Sequence, residues 1–332
     1  MIGHASLPTT MLDARSWLAT RTWLDRDDAD VRAYVARVSD RCEFDLAARL
    51  SEWRERGVLV FERAVEPALI DAFLGDVDYL KRHHRDFQLT VEVRGVHKPI
   101  AEWTAADLDS DRVKLNCIES ISRAGALLSL TRDPIVFLRH AFGAPPCVLQ
   151  SLTFTRGSEQ PIHIDYPYVR TQTKLAHLAA SWVALEDVTP STGPLVYYPG
   201  SHRPEVSGFF DWGGGSVVLE PDSTRTPMDF AHHLWDRMKT HGITAERFLP
   251  RKGDVLVWHG NLAHEGSKIL EPGRTRRSYA THYTSLEAYP PLHMKPRALE
   301  TGAFVSAHGG YVFEYPWITN PRRLPSWQAA AR

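Results

Sequence analysis

The chain has 332 residues, 43% hydrophobic and 24% charged, a balance that excludes wholesale disorder and allows a sizeable core. With 39 basic and 40 acidic residues the formal net charge is -1, so no global pull toward nucleic acid or an anionic membrane follows. Three scattered cysteines, Cys42, Cys117 and Cys147, make neither a disulfide framework nor a zinc spacing, and a reduced, cytoplasmic protein is expected. Met1 to Arg15 carries no apolar signal segment, and no run approaches the length a membrane helix needs.

In chain order, the first third reads as mainly helical. From Phe44, the residues Leu46, Ala47, Leu50 and Trp53 follow helical spacing until Gly57 stops them. Val58 to Phe61 reads as a short buried strand. Pro67 opens a second helix with a stripe of Leu69, Phe73, Val77 and Leu80, and both stripes are expected to pack a core. After Pro145-Pro146 the character changes. Cys147 to Thr155, Leu178 to Leu185, Gly193 to Pro199, Val255 to Trp258 and Thr275 to Thr284 are short β-favouring runs separated by turn signals, which argue for a sandwich or barrel. One helix, Phe230 to His241 with Gly242 behind it, interrupts them. The stretch from Pro204 to Asp229, with Gly213-Gly214-Gly215, reads as an insertion or lid. A phosphate cradle is not expected there, because a strand-like run follows the glycines where a helix would be needed.

Sixteen histidines among 40 acidic residues give roughly two His-x-Asp/Glu triplets by chance, and two occur, so context must decide between them. His84-Arg85-Asp86 continues a helix, where residues two apart diverge and cannot grip one ion. His163-Ile164-Asp165 follows a strand and a turn. In extended chain its two side chains share a face about 7 Å apart along the backbone, within convergence on one metal. His264, at the end of the Val255–Trp258 strand, is the best candidate for a third ligand, ahead of His259. Two histidines and a carboxylate match the facial triad of non-haem iron(II) oxygenases, with open positions left on the metal. Spacing alone leaves open that these are ordinary core or surface residues.

The next strand alternates Arg276, Ser278, Ala280 and His282 on one face. An arginine inside a barrel is costly unless it meets an anion, either a bound carboxylate, which Ser278 could also hold, or a protein carboxylate in a salt bridge.

Taken together, Gly157-Ser158-Glu159-Gln160-Pro161-Ile162-His163-Ile164-Asp165, Trp182 to Val188, Gly193-Pro194-Leu195 through Pro199-Gly200-Ser201-His202, Gly253 to Gly260 with His264, and Arg276-Arg277-Ser278 resemble, in order, the phytanoyl-CoA dioxygenase (PhyH-like) family of iron(II)/2-oxoglutarate oxygenases. The resemblance implies a mainly β fold with flanking helices: a double-stranded β-helix (jelly-roll, cupin-like) core behind a helical N-terminal region. It implies one domain over 1–332, with a helix-rich region at 1–144, the core at 145–290 with an insertion at 204–250, and a C-terminal extension at 291–332. It assigns iron to His163, Asp165 and His264, the distal carboxylate of 2-oxoglutarate to Arg276 with Ser278 assisting, and a polar co-substrate contact to Gln150. Tyr166, Tyr168, Arg170, His177 and Trp182 are candidates for the substrate pocket. The implied activity is hydroxylation of a small organic molecule with O2, giving succinate and CO2, in a monomer or homodimer without nucleic-acid or membrane partners. Desaturation, epoxidation or cyclisation are alternative outcomes, and halogenation is disfavoured because a carboxylate occupies position 165. A ligand-binding β-sandwich without catalysis and a zinc hydrolase are readings from other classes, the latter lacking an evident general base.

Overall fold

Asp45 accepts from the Ala48 amide and opens the helix Leu46–Arg56; Gly57, at φ 71, closes it in the left-handed conformation. The chain turns at once into β1 (Val58–Phe61), so the first amphipathic helix delivers a buried strand. In this computed structural model, residues 14–38, 42–169, 171, 173–208, 225–290, 304–318 and 322–329 are described.

The further strands are β2 (Thr90–Val93), β3 (Val96–Pro99), β4 (Val113–Asn116), β5 (Pro146–Phe154), β6 (Ala179–Ala184), β7 (Leu195–Tyr197), β8 (Glu246–Phe248), β9 (Val255–His259), β10 (His264–Gly266), β11 (Ser278–Ser285), β12 (Val305–Ala307) and β13 (Gly310–Val312). The larger sheet runs β1-β9-β6-β11-β5-β4-β2-β3, and the smaller runs β10-β7-β8. Neighbours pair antiparallel along both paths, as a jelly roll requires.

Alternation along the strands sorts side chains between two cores. Trp182, Leu256, Trp258 and Ala280 of the larger sheet meet Leu195, Tyr197 and Phe248 of the smaller one between the sheets. Val183, Val255, Val257, Tyr279 and Tyr283 face the other way, against Ile70 and Phe73 of the helix Pro67–Arg82 and against the other N-terminal helices.

The first third is less helical than its pattern suggests, for it also holds β2, β3 and β4. β3 is exposed along its whole length, so its residues Val96 to Pro99 carry no alternation that could have announced it. The inserted helix is Pro227–Thr240, opened by a reciprocal capping box between Thr226 and Asp229. Of the suspected lid, the short helix Pro204–Ser207 is described, whereas 209–224 with its three glycines lies outside the described residues. Among the described residues no helix is long and apolar enough to cross a membrane.

Candidate metal centre

The turn after β5 brings the chain back across the start of β10. His163 and His264 exchange both backbone hydrogen bonds at 2.9 Å, which sets their side chains beside each other at the mouth between the sheets. Two residues on, the amides of Asp165 and Tyr166 both donate to the Gly260 carbonyl. Glycine is required at 260, because a Cβ there would lie 2.5 Å from Leu178. The loop after β9 therefore fixes the carboxylate, and β10 fixes the second imidazole.

The histidines are turned for metal binding. His163 Nδ1 donates to the Pro161 carbonyl at 2.8 Å and His264 Nδ1 to the Leu262 carbonyl at 2.9 Å, so each ring keeps its lone pair on Nε2. The ring centroids are 4.2 Å apart. Asp165 Oδ2 accepts the Trp258 indole N–H at 2.8 Å, while Oδ1 lies 3.6 Å from His264 Nε2. One ligand atom from each of His163, Asp165 and His264 falls within 4.8 Å of the others, and all three side chains are buried.

Electrostatics keep His163 and Asp165 in their ligating forms. Burial pushes His163 down to about 3, and neighbouring His264 acts in the same direction, so the imidazole is neutral at ordinary pH. Burial alone would raise the carboxyl of Asp165, but His264, His282 and His163 together outweigh it and hold it well below the usual carboxylate range. Neutral imidazoles and an ionised carboxylate are the species a divalent iron takes.

Beside the triad lies a cavity of about 70 Å³, lined among others by Leu152, Phe154, Trp182, Arg276, Ala280 and His282. Arg276 is only 2% exposed. Among the described residues it forms no ion pair; Nη1 donates to the Gly193 carbonyl at 3.0 Å, the guanidinium sits 5.2 Å from the Trp182 ring centroid, and Nε has no partner. The salt-bridge alternative for Arg276 therefore finds no carboxylate. Burial lowers its pKa to about 10, which leaves it charged. The Ser278 hydroxyl, next on the same face, is buried without a partner as well. Unsatisfied buried donors beside a metal-type triad fit a carboxylate co-substrate: its anion would meet the charge and the hydroxyl together.

The remaining candidates divide. Trp182 lines the cavity; Tyr168, 49% exposed, stands edge-on to His163 with centroids 5.9 Å apart. Tyr166 is packed in an apolar cluster with Ile162, Ile164 and Leu178, and His177 is bonded to Ser285 at 2.7 Å and stacked on Phe142; neither lines the cavity. Gln150 does not line it either, and its amide faces His282 at 3.4 Å. Arg170 lies outside the described residues. His84 sits past the end of its helix, with Nδ1 tied to the Lys81 carbonyl at 3.0 Å. Two site residues went unassigned from the sequence, Trp258 and His282. Both were legible as inward positions by strand parity, and a buried indole N–H asks for a partner.

A family model described as phytanoyl-CoA dioxygenase (PhyH) matches residues 53–278. Phytanoyl-CoA dioxygenase 1 of Oryza sativa subsp. japonica is 27% identical over 187 residues, covering 51% of this chain and 59% of that protein. Phytanoyl-CoA dioxygenase domain-containing protein 1 of Danio rerio is 27% identical over 149 residues, covering 43% of this chain and 46% of its own length. The alignments thus span about half the length of these curated relatives. Among solved structures, EctD from S. alaskensis with bound Fe is similar at TM-score 0.53 and 16% identity, covering 82% of this chain and 90% of that one. The epimerase SnoN in complex with Fe3+, alpha ketoglutarate and nogalamycin RO gives TM-score 0.51 at 15% identity, covering 81% and 97%. At these identities the two structures speak for the fold.

Proposed function

We propose a function from one premise: the chain belongs to the phytanoyl-CoA dioxygenase (PhyH) family. It is an iron(II)- and 2-oxoglutarate-dependent oxygenase that hydroxylates a small organic molecule with release of succinate and CO2. The observation that carries this is the convergence of His163, Asp165 and His264 beside a buried arginine that forms no ion pair among the described residues.

His163, Asp165 and His264 would hold the iron: the Pro161 and Leu262 carbonyls take the Nδ1 protons of the two imidazoles, and the Trp258 indole N–H donates to one oxygen of the carboxylate. When bound, iron(II) and 2-oxoglutarate supply the oxidising chemistry for attack on a C–H bond. Arg276 binds and orients the distal carboxylate of the co-substrate, with Ser278 donating beside it and Trp182 beneath the guanidinium. Leu152, Phe154, Leu195 and Ala280 exclude water around them. Tyr168, half exposed against His163, is the residue best placed to meet the substrate. Desaturation, epoxidation or cyclisation would use the same residues and differ only in the fate of the substrate.

One domain spans 1–332, with its core at 145–290; pairing of β1 with β9 supports this, since it sews the N-terminal region into the core sheet. Three cysteines scattered along the chain support a reducing, cytoplasmic setting, and the protein works as a monomer or homodimer.

The test is anaerobic titration with iron(II) and 2-oxoglutarate, followed by a succinate-release screen over small molecules. A weak visible charge-transfer band that needs both additions, and succinate formation with O2, are expected. Binding of a small molecule without iron uptake or co-substrate turnover would leave a ligand-binding β-sandwich instead.

A further inference from the structure

Resting on the iron reading above, we propose that His282 is a positioning residue for Asp165. With Trp258, it clamps the two oxygens of the ligating carboxylate, and Gln150 sets its tautomer.

His282 lies on β11, on the inward face it shares with Arg276, Ser278 and Ala280, and it is 4% exposed. Its Nε2 stands 3.4 Å from Asp165 Oδ1, while the Trp258 indole N–H reaches Oδ2 at 2.8 Å. A carboxylate with one donor is free to turn about its Cβ–Cγ bond; one with a donor on each oxygen is not. Trp258 and His282 come from different strands, β9 and β11, so the clamp spans the sheet on either side of β6.

The tautomer needs its own account. The Nδ1 atoms of His163 and His264 are fixed by backbone carbonyls, but that of His282 meets the Gln150 side-chain amide nitrogen at 3.4 Å. An amide N–H donating to Nδ1 leaves the ring proton on Nε2, the atom that faces Asp165. Gln150 is the direct cross-strand partner of His282, and the register shifts immediately afterwards, between His282 and Tyr283, where Leu149 is skipped. A bulge of this kind bends the strand and re-aims neighbouring side chains, and here it sits beside the Gln150–His282 pair. The family resemblance put Gln150 on the co-substrate; the geometry puts it one residue back, behind the histidine that steadies the metal ligand.

The experiment measures iron(II) affinity anaerobically with 2-oxoglutarate present, following the visible band, with thermal unfolding of each metal-free variant as a folding control. His282→Leu removes the donor and is expected to weaken iron about 10- to 100-fold, the usual loss for a partner of a metal ligand. His282→Gln restores an N–H at similar reach and is expected to recover most of that affinity. If His282→Leu binds iron as the wild type does, or if the Leu and Gln variants lose affinity equally, the clamp is wrong while the oxygenase reading stands. If the wild-type protein itself shows no band and no iron uptake, that reading falls first. Should His282→Leu fail to fold, Gln150→Leu decides: a severalfold loss of affinity supports the tautomer relay, and an unchanged affinity overturns it.

Discussion

Among the described residues, two clusters of two histidines and one aspartate lie on opposite faces of one strand. In front of β9, His163, Asp165 and His264 converge around a point with both Nε2 lone pairs free. Behind it lie His259 and His202, both buried, and Asp25, whose side chain is 9% exposed, with the two imidazole centroids 5.3 Å apart. There, however, His259 Nδ1 accepts the Asn261 amide at 3.1 Å, so its proton is on Nε2, which points to Asp25 at 3.5 Å. The ring of His202 bonds the Arg54 backbone, and its unpartnered Nδ1 is pressed against Gly57, where a Cβ would come within 2.4 Å. The two sets match in residue type. They differ in where the protons sit, and only the front cluster aims more than one lone pair at a common point. The rear cluster anchors the N-terminal segment to the sheet.

The largest expected contrast comes from exchanging losses between the clusters. His264→Ala is expected to abolish turnover, by at least about 1,000-fold, chiefly through lost iron, while leaving the metal-free fold intact; 1,000-fold corresponds to about 4 kcal/mol. His259→Leu should do the reverse. It strips the partner from a buried carboxylate that His259 now holds below its usual pKa against the opposing effect of burial, and breaking such a pair costs about 3–5 kcal/mol of stability. Iron affinity of the folded variant should stay within about threefold. Adding Asp25→Asn should return part of the lost stability, because no unpaired charge then remains. Urea unfolding read beside iron titration separates the outcomes; iron loss in His259→Leu matching that of His264→Ala would erase the distinction.

How much of this was legible in the sequence follows the same division. Strand parity and the turn before His163 put the front residues on one rim, and the ordered motifs named their family. The β-core strands were readable because burial on one or both faces leaves runs such as Val255–Trp258. β3 was not, because an exposed strand leaves no period. The rear cluster was invisible in another way: Asp25 lies in an irregular N-terminal segment, 234 residues before His259, and no local pattern joins them. Tyr166 and His177 adjoin motif residues in sequence, yet one residue of alternation, or a turn, carries each into the core.

Arg276 gives the next largest effect. The Ser278 hydroxyl on the cavity face of β11 and the Arg276 Nε just before that strand have no partner, whereas on the other face Tyr279 donates to the Gly125 carbonyl at 3.0 Å and Tyr283 to the Ser129 carbonyl at 2.7 Å. Arg276→Ala should raise the 2-oxoglutarate KM about 100-fold, consistent with losing two charge-assisted hydrogen bonds at roughly 1.5 kcal/mol each, while iron affinity alone is kept. An unchanged KM would move the co-substrate carboxylate to another residue.

The most gradual effect is a slope with pH, and it sets the two clusters side by side in the metal-free protein. Burial holds His163 and His202 at about 3 and His177 at about 4, against an ordinary value of 6.5. Below 6.5 the unfolded chain takes up protons that the folded chain refuses, so stability is greatest above that value and falls as the pH drops through it. Each group contributes about 1.4 kcal/mol per pH unit, so roughly 4 kcal/mol should be lost by about pH 5.5. The depressed carboxyls of Asp25 and Asp165 add to the loss only below their ordinary 3.8. Urea unfolding at about pH 7.5 and 5.5 measures the slope, and His177→Gln should remove about a third of it. A stability that does not change over this interval would mean that His163, His202 and His177 take up protons in the folded protein as they do in the unfolded chain, so that burial does not hold His163 neutral below pH 6.5 and the fold does not itself prepare that ligand for the metal.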